Sequence, residues 1–417
     1  MKKIIIEGNK ELSGKIKIGG AKNSLVALLP AAVLSNGNVT INNVPQISDK
    51  NALLEIFEYL GAEIKIENTS ITINSENVQN KAITKDLCEK LRASYYFMGA
   101  LLAKYNYAEV YMPGGCKIGA RPIDIHLEGF KKLGADVIIN EDKYIIKADK
   151  LVGAEIPLDF PSVGATINIM FAAVKAEGKT IITNAAKEVE IINIGNLLQN
   201  MGAKIEGLGT SEIIIEGVNY LSDAEISVIP DRIEGGTYII LGALLGKDFT
   251  VEGFVPEYSK NLLDQLDMME IKYEIGDNQI KINKANFAKS VDIISKVHPG
   301  FPTDLGQPMH VLLTQAQGVS TFTETIYENR MLHIKYLTKM GANIKVEGNK
   351  AIITGKTNLV GAQITADDLR GGAALVLAGL IAEGTTVIND VDYILRGYEN
   401  IINKLTEIGA NIRIEEI

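Results

Sequence analysis

The chain repeats itself about every 70 residues, and this repeat constrains the fold more than any other feature of the sequence. A helix-ending Gly-Ala pair followed by a short strand pattern occurs five times, with its glycine at Gly61, Gly134, Gly202, Gly341 and Gly409. The glycines are separated by 73, 68, 139 and 68 residues, so the double gap indicates a degenerate copy, for which residues 266–271 are the candidate. Self-similarity of this kind is typical of folds built from stacked supersecondary units. The sequence therefore predicts six repeats.

Each repeat shows the same order of predicted elements. An apolar helix, a small turn and a β-branched strand follow one another around residues 34–40, 176–181, 245–250, 316–321 and 382–387. An amphipathic helix with glycine in the left-handed cap position and further strands complete the unit. The predicted fold class is therefore α/β, with six βαβαββ-like repeats. Some of the helices are apolar on nearly every side, which is typical of interior helices, so we expect two similar domains of three repeats with sheets outside.

The amino-acid composition and the net charge exclude several classes of function. The 417 residues are 46% hydrophobic and 22% charged, which is ordinary for a globular chain. The net charge of −9 argues against nucleic acid or an anionic membrane surface as a partner. Two cysteines without a CxxC pair and only four histidines predict neither disulfides nor a metal site, so we expect a reducing cytoplasm. The oligomeric state stays open, and a monomer is compatible with the sequence.

The N-terminal residues and the apolar runs predict neither a signal peptide nor a membrane-spanning segment. Residues 1–7 contain an apolar run of only three before an acid, so we expect a strand there and not a signal peptide. The longest apolar runs fall well short of the roughly 20 residues that span a bilayer. No transmembrane segment is predicted.

Polar residues interrupt the repeat pattern at one recurring place, the start of the apolar helix. The markers of this place are Lys22, Arg92, Gly164, Gly235, Asp304 and Arg370, with steps of 70, 72, 71, 69 and 66 residues. A helix N-terminus presents unpaired N–H groups and a partial positive charge, so it binds anions. Lysine and arginine at such a place work against the helix dipole, which favours a role in ligand binding. The alternative is that Ser162, Thr303 and Asp304 are N-caps and that the arginines are solvated.

Cys116 lies on a glycine-rich, cationic segment, residues 112–126. Lys117 and Arg121 supply positive charge that lowers the pKa of a nearby thiol, so the pattern predicts a reactive cysteine. Arg121 and Pro122 are predicted to open a helix. The alternative for a lone cysteine is a small buried hydrophobe, which is the expectation for Cys88.

Four other polar residues are each open to a purely structural interpretation. Arg330 and Arg396 are each predicted at the start of a helix that follows a strand, and surface salt bridges are the simpler interpretation of both. Glu188 is predicted at a capped helix start, where it favours the helix dipole. His126 is predicted to be a structural helix residue and not a base.

Motifs along the whole chain resemble the UDP-N-acetylglucosamine 1-carboxyvinyltransferases. They occur in order at residues 19–24, 91–94, 113–124, 162–166, 230–234, 301–304, 324–330, 368–370 and 396–399. The cysteine segment and the Ala-Lys-Asn-Ser start separate the chain from the sister family, the 3-phosphoshikimate 1-carboxyvinyltransferases. The resemblance implies the enolpyruvyl transferase fold, a two-domain inside-out α/β barrel.

The resemblance also implies where the domains lie. Residues 1–20 plus 230–417 would form one domain, which carries Asp304, Arg370 and Arg396. Residues 21–229 would form the other, which carries the Cys116 segment and the contacts to the UDP-sugar. The active site would lie in the interdomain cleft.

The implied reaction is enolpyruvyl transfer from phosphoenolpyruvate to the 3-hydroxyl of UDP-N-acetylglucosamine. It would proceed by addition and elimination through a tetrahedral ketal that expels phosphate, as the first committed step of peptidoglycan synthesis. The two small-molecule substrates are the implied partners, and no cofactor is implied. Two alternatives are the 3-phosphoshikimate enzyme and a non-catalytic regulator that binds the UDP-sugar. A dinucleotide-binding enzyme is disfavoured, because the glycine-rich segment lacks the GxGxxG pattern and its acidic partner.

The resemblance assigns roles residue by residue. The implied catalytic residues are Cys116 as acid and adduct former, Asp304 as base, and Lys22 and Arg396 as cations. Phosphoenolpyruvate would contact Lys22, Asn23, Arg121, Arg370 and Arg396. The UDP-sugar would contact Asn23, Arg92, Arg121, Pro122, Ile123, Asp124, Ile125, Ser162, Val163, Gly164, Asp304 and the backbone of Ile326. One departure is that residues 159–161 stand where some members have a lysine, so Phe160 replaces a cationic contact to the diphosphate.

Overall fold

A computed structural model describes residues 2–113 and 123–416. Within these ranges the α-helices are α1 (Lys22–Ala31), α2 (Ser48–Leu60), α3 (Lys85–Lys90), α4 (Tyr96–Tyr105), α5 (Asp124–Lys132), α6 (Val163–Ala173), α7 (Val189–Asn200), α8 (Arg232–Leu245), α9 (Lys260–Met268), α10 (Thr303–Leu313), α11 (Ile334–Lys339), α12 (Leu369–Ile381), α13 (Asp392–Leu395) and α14 (Ile401–Glu407). Short 3-10 helices cover Ala32–Leu34, Arg92–Tyr95 and Pro256–Tyr258. Every helix in the described ranges is too short or too polar to span a lipid bilayer.

The strands in the same ranges are β1 (Lys2–Glu7), β2 (Leu12–Lys17), β3 (Asn38–Asn42), β4 (Glu63–Glu67), β5 (Ser70–Asn74), β6 (Tyr107–Tyr111), β7 (Asp136–Asn140), β8 (Lys143–Lys147), β9 (Glu155–Pro157), β10 (Lys179–Thr183), β11 (Lys204–Glu206), β12 (Glu212–Glu216), β13 (Ala224–Ser227), β14 (Gly246–Glu252), β15 (Tyr273–Gly276), β16 (Gln279–Ile282), β17 (Asp292–Ile294), β18 (Gly318–Thr323), β19 (Asn343–Glu347), β20 (Lys350–Gly355), β21 (Gln363–Thr365), β22 (Thr385–Asn389) and β23 (Asn411–Glu416).

These strands form six separate sheets, one for each repeat. Their orders are β13-β3-β5-β4, β6-β8-β7, β9-β10-β12-β11, β2-β14-β16-β15, β17-β18-β20-β19 and β21-β22-β1-β23. In each four-stranded sheet the first pair is parallel and the other two pairs are antiparallel. The three-stranded sheet has an isolated parallel bridge, Ile83 to Val110, in place of the missing strand. The predicted mixed α/β repeat is confirmed, but within the described ranges the sheets stay open and do not close into a barrel.

Three repeats take a strand from a distant part of the chain. β13 pairs in parallel with β3, and β2 pairs in parallel with β14. β1 lies between β22 and β23 and is antiparallel to both. The repeat is therefore permuted relative to the chain: the N-terminal strands complete the sheets of the fourth and sixth repeats.

The described residues divide into two compact units, each with its own hydrophobic core. We call residues 2–19 and 230–416 the terminal unit, and residues 20–113 and 123–229 the inserted unit. Helices α1, α4 and α6 lie in the core of the inserted unit, and α8, α10 and α12 lie in that of the terminal unit. Nearly every residue of α6 and α12 is buried, which explains why these helices are apolar all round. Burial of each large aliphatic side chain contributes roughly 1.5–3 kcal/mol.

The helix-ending glycines all adopt the left-handed conformation that the repeat predicted. Gly61, Gly134, Gly202, Gly341 and Gly409 have φ between 92° and 103°. In the degenerate copy Glu270 takes this place with φ 62°. The N–H of Ile271 then donates to the Leu266 carbonyl at 2.9 Å, as the N–H of Ala62 donates to Phe57 at 3.0 Å in the first repeat. Residues 266–271 are therefore the sixth copy, as the spacing predicted.

Substitutions at two of the left-handed positions, Glu270 and Gly202, are expected to change the free energy of unfolding in opposite directions. Glu270→Gly should raise the free energy of unfolding by about 1 kcal/mol, because glycine adopts positive φ without a Cβ penalty. Gly202→Ala should lower it by a similar amount, and since a Cβ there meets nothing within 4 Å, the change is purely conformational. The exposed Glu270–Lys289 pair, 3.7 Å apart, contributes little to stability. Thermal denaturation of both variants checks the pair, and shifts of the same sign would contradict it.

Candidate functional site

The polar markers lie at helix starts, as the sequence predicted. Lys22 is the first residue of α1, and Arg92 opens the 3-10 turn that precedes α4. Asp304 and Arg370 are the second residues of α10 and α12, and Gly164 is the second residue of α6. In the terminal unit two of these helix starts are in direct contact, through the side chains of Asp304 and Arg370.

Asp304 is held by two arginines in the terminal unit. Its Oδ1 accepts a hydrogen bond from Nη2 of Arg330, and its Oδ2 accepts from Nε and Nη2 of Arg370 at 3.2 and 3.1 Å. The side chains of Arg330 and Arg370 are only 5% and 2% exposed, whereas that of Asp304 is 24% exposed. The Asp304 carboxylate therefore lies against two buried guanidinium groups that exclude water, and electrostatic interactions are strong in such surroundings.

Arg370 stays cationic in this environment. Burial by itself lowers the pKa of Arg370, but the surrounding Tyr398, Asp304 and Asp231 outweigh burial and raise it above its usual value. The guanidinium also lies over the ring of Tyr398, 5.3 Å from its centroid. Asp368 caps α12 by accepting the N–H groups of Arg370 and Gly371, which fixes the helix start that carries Arg370.

The N-cap alternative holds for one of three residues. Ser162 caps α6, since its Oγ accepts from the N–H of Ala165 at 3.3 Å. Thr303 and Asp304 do not cap α10, because Pro302 occupies the cap position and makes no side-chain bond there. The Thr303 hydroxyl instead accepts from Nε of Arg330, and the Asp304 carboxylate accepts from Arg330 and Arg370. A capping role therefore does not explain these two residues.

The structure corrects the predicted place and the predicted exposure of Arg330. It lies in a turn that precedes α11 and not at a helix start, and its residue is only 4% exposed. Its ion pair with Asp304 is buried, so the surface salt bridge was the wrong interpretation. The sequence contained one signal for it: Arg330 belongs to the same repeat as Asp304 and follows the strand next to that helix.

Arg396 also differs from its predicted place. It is the C-cap of the short helix α13, so it follows a helix and does not begin one. Its side chain is half-buried. Two residues on, the hydroxyl of buried Tyr398 lies 3.0 Å from Oγ1 of Thr237. Arg396 thus stands two residues from the aromatic ring that supports Arg370.

In the inserted unit, Lys22 is paired with a buried carboxylate. Its Nζ lies 3.0 Å from Oδ2 of Asp49, and the side chains are 18% and 3% exposed. Asp49 belongs to the first turn of α2. Asn23 follows Lys22 and is half-buried. The pair keeps the lysine charge balanced at the start of α1.

Gly164 packs where no side chain fits. A Cβ at this position would lie 2.9 Å from both Cε1 of His126 and the hydroxyl of Tyr95. Arg92 is half-buried at the start of the neighbouring 3-10 turn. The start of α6 thus exposes backbone, with Ser162, Val163 and Gly164 all half-buried.

His126 is a structural residue, as predicted. Burial, with a smaller contribution from the charge of Arg92, lowers its pKa to about 3, so the ring is neutral. The N–H of Gly99 donates to Oδ1 of Asn168 at 2.9 Å, which orients the Asn168 amide so that Nδ2 donates to Nδ1 of His126, also at 2.9 Å. The His126 proton therefore sits on Nε2.

The other residues predicted to contact the substrates differ in their exposure. Ile123 is buried at the N-cap of α5, Asp124 is exposed, and Ile125 is half-buried. The N–H of Ile326 donates to Oε1 of Glu324 at 2.7 Å, so this donor is already used within the protein. Phe160 is 43% exposed, and its carbonyl accepts from the Ser162 N–H. Cys116, Arg121 and Pro122, including the helix start expected there, lie outside the described residues.

Comparisons with known proteins agree with this architecture. Residues 6–405 match the model of the family described as EPSP synthase (3-phosphoshikimate 1-carboxyvinyltransferase). A relative from Oceanobacillus iheyensis named UDP-N-acetylglucosamine 1-carboxyvinyltransferase 2 is 49% identical over 417 residues, which cover 100% of this chain and 97% of the relative. A relative of the same name from Listeria monocytogenes is 47% identical over 98% of this chain and 97% of its own length.

Solved structures confirm the fold. The enolpyruvyl transferase NikO from Streptomyces tendae superposes with a TM-score of 0.90 at 23% identity, covering 99% of this chain and 98% of that one. An EPSP synthase from Acinetobacter baumannii gives a TM-score of 0.76 at 19% identity, with full coverage of both chains. With relatives close to half identical over the full length, the chain belongs to the UDP-N-acetylglucosamine 1-carboxyvinyltransferases of the enolpyruvyl transferase family.

Proposed function

We propose that the protein transfers the enolpyruvyl group of phosphoenolpyruvate to the 3-hydroxyl of UDP-N-acetylglucosamine, with release of phosphate, as the first committed step of peptidoglycan synthesis. The observation that carries the proposal is the Asp304 carboxylate, held by two buried arginines at the start of α10. The relatives that carry the corresponding name support the choice of acceptor. The absence of disulfide-type cysteine spacing supports a cytoplasmic location.

The reaction consists of an addition and an elimination. In the addition, the sugar oxygen bonds to C2 of phosphoenolpyruvate while C3 gains a proton, which gives a tetrahedral ketal. In the elimination, C3 loses a proton and the C2–O bond to phosphate breaks, so the double bond returns and phosphate leaves. Both steps need a base near the hydroxyl or methyl group and an acid near C3.

Asp304 supplies the base in this proposal. Two arginine partners hold its carboxylate and fix its orientation, so a lone pair can be directed at the sugar hydroxyl. Cys116 supplies the acid that delivers the proton to C3. In its covalent adduct the sulfur bonds to C2 while the thiol proton goes to C3, so the C2–C3 double bond becomes a single bond. The cationic neighbours of Cys116 in the sequence, Lys117 and Arg121, are the reason for this assignment.

Phosphoenolpyruvate carries a phosphate and a carboxylate, so it needs several cations. We assign Lys22, Arg121, Arg370 and Arg396 to these groups, with Asn23 as a hydrogen-bond donor. Asp49 would balance the charge of Lys22 when no substrate is present, because their side chains already form an ion pair. A substrate phosphate would then compete with Asp49 for the lysine.

The UDP-sugar takes its contacts largely from exposed backbone and nearby polar groups. We assign Asn23, Arg92, residues 121–125 and residues 162–164 to it, together with Asp304 at the reacting hydroxyl. Since the Ile326 N–H is bonded to Glu324, the carbonyl of Ile326 is the group assigned to the ligand. With Phe160 in place of a lysine, no cation at that position contributes to diphosphate binding.

Phosphate release from phosphoenolpyruvate tests the proposal and its alternatives together. We expect release with UDP-N-acetylglucosamine as acceptor and none with 3-phosphoshikimate. The reverse result would make the protein a 3-phosphoshikimate 1-carboxyvinyltransferase. Binding of the UDP-sugar without phosphate release from either acceptor would identify a non-catalytic regulator.

A further inference from the structure

We propose that Glu324 is a positioning residue for the reaction, acting on Asp304 through Thr303 and Arg330. This inference rests on the proposed function, since it assumes that Asp304 is the base.

Glu324 is a buried carboxylate, 4% exposed, that accepts four hydrogen bonds. Its Oε1 accepts from Oγ of Ser295 at 2.9 Å and from the N–H groups of Ile326 and Tyr327 at 2.7 and 3.2 Å. Its Oε2 accepts from Oγ1 of Thr303 at 2.7 Å. Burying a carboxylate is costly unless such bonds compensate it, so its presence here requires a reason.

The hydrogen bond to Thr303 fixes the direction of the next one. An ionised carboxylate only accepts, so the Thr303 hydroxyl proton must point to Glu324. The lone pairs of the same oxygen then face Nε of Arg330, which donates to it at 3.2 Å. Arg330 in turn donates through Nη2 to Oδ1 of Asp304. Glu324 therefore sets the orientation of the guanidinium that holds the base.

The repeat shows that the scaffold itself does not need a carboxylate here. By strand register, Glu324 lies opposite Asn349 at the end of β18, as Asn43 lies opposite Thr69 and Asn184 lies opposite Ser211. Neutral amides fill this place in those two repeats: Nδ2 of Asn43 donates to the Val228 carbonyl and Nδ2 of Asn184 to the Leu158 carbonyl, each at 2.8 Å. Among these three repeats, only the one that carries Asp304 has a carboxylate at this register.

The test is turnover of Glu324→Gln and Thr303→Val. In Glu324→Gln the amide Nε2 would donate to Thr303, so the Thr303 hydroxyl proton would no longer be held away from Arg330. In Thr303→Val the acceptor for Arg330 disappears. We expect kcat to fall about tenfold or more in each, because a displaced catalytic group loses its near-attack geometry. KM for UDP-N-acetylglucosamine should change much less, because the assigned sugar contacts are mostly elsewhere.

Two controls separate this role from a merely structural one. Thr303→Ser keeps the hydroxyl and should restore turnover. Asp292→Asn is matched in chemistry, since Oδ1 of Asp292 accepts from Oγ1 of Thr321 at 2.6 Å in the same repeat, but that pair is exposed. It should leave turnover unchanged. The double variant Glu324→Gln with Thr303→Val should lose no more than the worse single variant, because both break one relay.

The outcomes distinguish this inference from the proposed function. If the unmutated chain releases no phosphate with UDP-N-acetylglucosamine, the proposed function fails. If the unmutated chain turns over and a folded Thr303→Val variant keeps its kcat, the positioning role of Glu324 is wrong. Should Glu324→Gln fail to fold, Thr303→Val and Thr303→Ser still decide the question.

Discussion

Cys116→Ser is expected to abolish covalent labelling by an epoxide phosphonate such as fosfomycin and to lower steady-state turnover by about a hundredfold or more. The serine hydroxyl is a much weaker acid than a thiol, so it neither delivers a proton to C3 nor forms a nucleophilic anion at neutral pH. Mass spectrometry after incubation with the epoxide measures labelling, and phosphate release measures turnover.

Cys88 provides the matched control for this experiment. It is fully buried, and burial raises the pKa of its thiol to about 11, so at pH 8 it remains protonated. Its Sγ donates to the Ile83 carbonyl at 3.6 Å. Cys88→Ser should therefore leave both labelling and turnover unchanged. Labelling that persists in Cys116→Ser and disappears in Cys88→Ser would show that the wrong cysteine has been assigned.

Asp304→Asn is expected to lower turnover by about two to three orders of magnitude, because an amide cannot accept the proton of the sugar hydroxyl. The variant should also unfold at lower temperature. Arg330 and Arg370 would then lie buried without an anion, and removing one partner of a buried ion pair costs roughly 3–5 kcal/mol. Phosphate release and thermal denaturation check the two effects.

The control for Asp304→Asn is an exposed ion pair. Lys260 and Asp264 lie one turn apart on α9, 3.0 Å from one another, with side chains 78% and 52% exposed. Asp264→Asn should change stability by only about 0.3–0.5 kcal/mol and leave turnover intact. Substantial turnover in a folded Asp304→Asn variant would rule out Asp304 as the base.

The repeat and the helix starts were predictable from sequence because they depend on local rules. A helix that ends in a left-handed residue strongly favours glycine, so the five Gly-Ala pairs gave the period, and the spacing located the sixth copy at Glu270. The positions of Lys22, Asp304 and Arg370 followed from the same period.

The contacts among the helix starts were not predictable in the same way. Arg330 lies in a turn without periodicity, and only tertiary packing decides that it is buried against Asp304. The role of Glu324 likewise depends on four bonds to residues from three segments. The resemblance implied that residues 1–20 join residues 230–417, but the strands with which β1, β2 and β13 pair did not follow from the sequence, because short strands carry little information about their partners.

The permuted strands have a consequence for biosynthesis. Residues 2–17 leave the ribosome long before their partners: β2 can pair only when β14 has been made, and β1 only when β22 and β23 have been made. The inserted unit has all of its strands once β13 has been translated, so it can fold while the rest of the chain is still being synthesised. The terminal unit, by contrast, can complete its last sheet only after β23, so β1 is among the last strands to find its native partners although it is synthesised well before them.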